Sequence, residues 1–187
     1  MIYEEIEVDY MKKILRSSGI VIALLAVLST LLMQFGEAVL RIHKDSDPTI
    51  WRGQEVLFET ATSGYYGPVY HSPSRLAIFV YITITIISLA LAFTFFLSNR
   101  KNNTAYALSG TIVSASAVML LVAGICVFSI PSDYIARDDL NLAVGGDYLA
   151  VALISIFSSL LCVPVAIANF KSIEKAAKNS GSSEIKE

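Results

Sequence analysis

Residues 148–168 read YLAVALISIFSSLLCVPVAIA, a run with no Asp, Glu, Lys, Arg or His. At about 1.5 Å per residue a helix of this length covers about 30 Å, the thickness of a bilayer's hydrocarbon core. The same freedom from ionisable groups holds for Gly19–Phe35, Leu76–Leu97 and Ala105–Ile130. The first of these reaches spanning length when residues 36–40 are counted with it. The expectation is an all-α membrane protein, a four-transmembrane-helix bundle. Transport, proton relay and haem ligation normally place ionisable side chains inside the membrane. Spans without any point away from those functions.

The rest of the 187-residue chain agrees. Its hydrophobic share of 55% and mean hydropathy of +0.61 exceed the roughly 45–50% apolar content of soluble domains. The longest segment outside the spans, Arg41 to Arg75, is too short to fold alone without disulfides, metals or a partner. Both cysteines, Cys126 and Cys162, fall in apolar runs, so neither staples a loop. The net charge of −2 hides no basic domain, and nucleic acid is not an expected partner.

Lys and Arg concentrate on one side of the spans. Lys12, Lys13 and Arg16 precede the first, Arg100 and Lys101 join the second to the third, and Lys171, Lys175 and Lys178 follow the fourth. The positive-inside rule then makes both termini cytoplasmic, in a multi-pass protein of the cell membrane. The expected layout is a cytoplasmic N-terminus (1–18), spans at 19–40, 76–97, 105–130 and 148–170, a cytoplasmic turn (98–104), outer loops at 41–75 and 131–147, and a flexible cytoplasmic tail (171–187). A competing reading makes Gly19–Met33 the apolar core of a signal peptide with Gly36-Glu37-Ala38 as its cleavage site. The acidic Glu4, Glu5, Glu7 and Asp9 speak against it. Ser72-Pro73 and Asp147 offer capping groups for the second and fourth helices. Pro131 closes the third, and Pro164 kinks the fourth, with Ser158 or Ser159 available to the freed carbonyl.

Helices in lipid associate through small residues that let backbones approach. Ala152, Ser155, Ser159, Cys162 and Ala166 recur at steps of three and four along the fourth span. Ala107, Gly110, Ser114, Ala117 and Gly124 do so along the third, interrupted by Leu121, and Gly19, Ala23, Ala26 and Thr30 along the first. Continuing that last stripe reaches Glu37, on the bundle-facing side near the outer boundary. Its carboxyl reads either as an ion site or as a structural group that reaches water or pairs with Arg41.

The first outer loop holds the only Trp, Trp51, with Phe58, Tyr65, Tyr66 and Tyr70. Gln54–Ala61 and Tyr65–His71 read as the strands of a small β-hairpin around Thr62-Ser63-Gly64, with Gly67-Pro68 marking an edge strand or bulge. Those aromatics are the candidates for partner recognition; an aromatic belt at the lipid headgroups is the alternative. His43 and His71, beside Asp45 and Asp47, lack metal-ligand spacing. The acidic second loop, with Asp133, Asp138, Asp139 and Asp147, does not match a calcium-binding pattern. No nucleophile motif, zinc helix or phosphate loop is present, so no enzyme, metal or cofactor is expected.

Cytoplasmic ends, a long first outer loop with strands, a short cytoplasmic turn at Ser98–Thr104 and a shorter second outer loop resemble claudins and peripheral myelin proteins. The resemblance covers the whole chain in outline. Those families carry Gly-Leu-Trp followed by two disulfide-bonded loop cysteines; here Trp51 precedes Arg52-Gly53 and the loop has no cysteine, so no functional residue carries over. The resemblance implies a sheet over a four-helix bundle and association through the outer loops. The expected function is therefore protein–protein association in the bilayer, with other membrane subunits or with itself. The alternative is a small transporter or channel component using Glu37 and the acidic loops.

Overall fold

The computed structural model describes residues 2–42, 49–58, 60–64, 67–71, 73–98, 103–134 and 141–181. Its long helices are α1 (Ile2–Phe35), α3 (Arg75–Ser98), α4 (Asn103–Val127) and α5 (Gly146–Gly181), with one short helix, α2 (Gly53–Leu57). Strands β1 (Glu37–Ile42), β2 (Thr49–Arg52) and β5 (Asn141–Val144) form an antiparallel sheet in the order β2-β1-β5. Strands β3 (Thr60–Gly64) and β4 (Gly67–His71) pair separately.

Among the described residues three segments are long and apolar enough to cross a membrane, Arg75–Leu97, Asn103–Val127 and Gly146–Ile173. The apolar part of α1, Gly19–Phe35, is shorter. Leu89 is 68% exposed, Phe96 67% and Leu24 64%, so large apolar side chains line the outside of the helices. A protein in water buries such surface; a bilayer solvates it. The chain therefore has membrane-protein character.

The helices close a ring in which α1 adjoins α3 and α5, and α4 adjoins the same two. Toward the sheet the core comprises Ala26, Met33, Val80, Ile84, Ala123, Val127, Tyr148 and Val151, joined by Ala38, Val39 and Val56 from the cap. Toward the other end it comprises Ile22, Ile87, Leu91, Val113, Leu120, Cys162 and Val165. Because α1 supplies Ile22, Ala26 and Met33, cleavage at residues 36–38 would strip one wall from both cores.

Several boundaries differ from the sequence expectation. The first helix stops at Phe35 instead of running to residue 40. Gly36 N–H closes its last turn on Leu32 O at 2.8 Å, and Glu37–Ile42 is drawn into the sheet, Val39 opposite both Trp51 and Val144. Glu37 consequently starts a strand and does not continue the helical stripe. Gln54–Leu57 is a helical turn, not a strand, because the Glu55 carboxylate accepts the Arg52 N–H at 2.7 Å and so caps it. The hairpin instead runs Thr60–Gly64 against Gly67–His71, in register Thr60 to His71 and Gly64 to Gly67. Its ladder tolerates Pro68 because each strand of a two-stranded sheet is an edge.

Further along, α3 is capped by Ser74, whose Oγ accepts the Ala77 N–H at 3.0 Å, while the expected cap Ser72 lies outside the described residues. Helix α4 ends at Val127, before Pro131, which opens a 3-10 turn over Ile130–Asp133. Helix α5 continues through Gly181 where a flexible tail from residue 171 was expected, the run Ile173–Lys178 being rich in helix formers.

Candidate functional site

The surface with the most constructed geometry is the cap where the sheet meets the helix ends. Three glycines make the close approach. Gly53 N–H donates to Gly36 O at 2.8 Å, and a Cβ on Gly53 would overlap the Met33 carbonyl. A Cβ on Gly36 would lie 2.5 Å from Asp147 Cβ, and one on Gly145 would strike the Glu37 carbonyl. Gly145 N–H donates to Ala38 O at 2.8 Å. Only residues without a side chain let α1, α2, β1 and the start of α5 share this volume.

Polar groups fix the same junction. The Tyr148 hydroxyl, fully buried, donates to Met33 O at 2.9 Å, satisfying a carbonyl in the last turn of α1. Asp147 Oδ2 accepts the Glu37 N–H at 2.8 Å, so it ties β1 to α5 instead of capping its own helix. Asp133 Oδ2 accepts from Ser74 Oγ at 2.6 Å and from Leu76 N–H at 2.8 Å. A carboxylate at a helix N-terminus is favoured by the helix dipole as well as by these bonds. Ser74 N–H in turn donates to Val56 O at 2.9 Å. Trp51 packs edge-on to Tyr134, ring centres 5.0 Å apart and planes at 74°. Burial first, and the Asp133 carboxylate second, push the Tyr134 phenol up to about 12.

Of the recognition candidates, Trp51 is half-buried against the core and works as an anchor of the cap. Phe58, directly after α2, is 51% exposed. Tyr70 lies in β4 opposite Ala61, while Tyr65 and Tyr66 fall outside the described residues. Ile50 of β2, which sequence reading passed over, is also exposed. Glu37 is exposed at the start of β1, opposite Arg52 in the ladder and beside the N-terminus of α5. His43, Asp45, Asp47, Asp138 and Asp139 lie outside the described residues, and among those described no group of His, Cys, Asp and Glu is spaced to hold a metal.

The small residues of α5 line its buried side, and part of that stripe meets α4. Ala152, Ser155, Ser159, Cys162 and Ala166 are all buried. A Cβ on Gly124 would sit 2.8 Å from Ile156 Cγ1 and 3.0 Å from Ala152 O; one on Gly110 would sit 3.1 Å from Phe170 Cζ. Ser159 Oγ donates to Ala117 O across the interface at 2.7 Å, and is therefore not the partner of the carbonyl freed by Pro164. Nor does Ser158 Oγ reach that carbonyl. Ser114 and Ala117 are half-buried. Tyr134, Tyr148, Gly36, Gly53, Gly145 and the capping role of Asp133 were missed from sequence, although the glycines immediately after one apolar run and before another were a visible signal.

No family model matches the chain, and no curated protein matches it.

Proposed function

We propose that this protein is a non-catalytic, four-span membrane protein that works by association, as an accessory subunit of a membrane complex or as a laterally self-associating, claudin-like protein. In this reading both termini are cytoplasmic and the cap faces outward from the cell membrane. The Lys and Arg distribution supports that orientation. Gly19–Phe35 of α1 then forms the first span, and the cap packed on its outer end covers the rest of that distance.

The observation that carries the reading is the way the cap is fixed to the bundle. Glycine contacts, the Tyr148 hydroxyl and two aspartates hold it at both α1–α5 and α3. A cap held at so many points presents Phe58 and Ile50 on a preorganised surface, which lowers the entropic cost of binding. The packed apolar cores fit a scaffold that holds this surface in place.

The test is isolation from native membranes in mild detergent through a tag on the C-terminus. A partner recovered in constant stoichiometry, or a discrete homo-oligomer, is the expected result. A lone monomer would contradict the proposal and move attention to a flux assay comparing the native protein with Glu37→Gln.

A further inference from the structure

Three serine hydroxyls in the long helices are both fully buried and unpartnered among the described residues. Ser29 of α1 and Ser155 and Ser158 of α5 are each 1% exposed, and their Oγ atoms have no hydrogen-bond partner among the described residues. Elsewhere in the same helices the usual device is a bond back to the preceding turn. Thr30 donates to Ala26 O at 3.0 Å, Thr85 to Tyr81 O at 2.7 Å, Thr111 to Ala107 O at 3.0 Å and Ser172 to Ala168 O at 2.9 Å. Ser159 finds Ala117 O on the next helix.

The three fall in one seam. Gly36 abuts Asp147, so the end of α1 meets the start of α5 and the two helices run antiparallel. Ser29 precedes Gly36 by two turns and shares its face; Ser158 follows Asp147 by three turns and shares its face. Ser155 is the helical neighbour of Ser158 one turn nearer the cap. Counted down from the Gly36–Asp147 contact at about 1.5 Å per residue, Ser29 lies about 10 Å, Ser155 about 12 Å and Ser158 about 16 Å along the seam. All three thus sit within about one helical turn of a common level.

We propose that Ser29, Ser155 and Ser158 form a binding site for water in the α1–α5 seam, one molecule bridging the hydroxyls. A buried water needs two to four polar partners, and three hydroxyls, each both donor and acceptor, supply them. Such a site lets α1 hold to α5 by hydrogen bonds at a depth where neither helix carries an ionisable group, and it goes beyond the association reading, which does not depend on it.

Water-edited solid-state NMR of the full chain in lipid bilayers reads the site directly. Magnetisation from water is expected at the Cβ of Ser29, Ser155 and Ser158 ahead of the buried side chains of Ile84 and Leu120. Build-up no faster than at Ile84 would overturn the proposal, since the hydroxyls would then be dry and bonded within their own helices. Thermal unfolding supplies a second reading. Ser29→Ala and Ser158→Ala are each expected to lower the midpoint by about 2–4 °C, and the double variant to fall well short of the sum, because both lose the same water. Additive shifts, or midpoints that rise, would overturn it.

Discussion

Single atoms decide the cap. Gly53 faces the Met33 carbonyl so closely that one added methyl must displace backbone, whereas a Cβ on Gly19 meets nothing within 4 Å. Gly53→Ala should therefore lower the thermal midpoint in detergent by at least about 4 °C, the effect of an overpacked core. Gly19→Ala, in a helix, should leave it unchanged or raise it slightly. Tyr134 adds a pH signature. Its folded-state value is raised from 10.0 to about 12, so the neutral phenol is favoured by folding. The stabilisation is full below pH 10 and is lost as pH rises from 10 to about 12. Tyr134→Phe should flatten that part of the stability profile, as followed by near-ultraviolet circular dichroism; an unchanged slope would assign it to another group.

At the scale of elements, the helices were legible and the sheet was not. Runs without charge identify the apolar helices because nothing else in a chain this size tolerates them. Strand β1 was hidden because its apolar residues continue directly from α1, and a short apolar run reads equally as helix or strand. Its partner β5 lies far along the chain, and a pairing of that kind leaves no local trace. The hairpin was legible in kind but not in register: Val56 and Leu57 look like strand residues until the Glu55 cap commits them to a helical turn. The small-residue stripes carried more information, since Gly124 and Gly110 lie against Ile156 and Phe170. Gly124→Val should separate α4 from α5, with a loss of helix protection in hydrogen exchange along residues 113–127 and 148–162. Ser159→Ala should cost only about 0.6 kcal/mol, the average worth of an interhelical hydrogen bond in a membrane protein.

Across the whole molecule, the two ends of the bundle differ in construction. Toward the cap, helix termini, glycines and aspartates interlock; toward the other end, α1 and α5 continue as helices past the buried core. What sequence could not convey about the candidate site is this interlocking, because each contact joins residues distant in the chain. Trp51 looked like a recognition residue and is partly consumed by packing on Tyr134, while Phe58, of the same aromatic group, stays exposed. In the proposed association, recognition falls to the exposed side of the cap. Its most direct test is a photo-crosslinking amino acid installed at Phe58 in native membranes. A discrete protein adduct, a partner or a second copy, is the predicted result, weakened when Ile50 is replaced by Ser. Adducts to lipid alone would contradict the account and leave the cap as a cover for the helices.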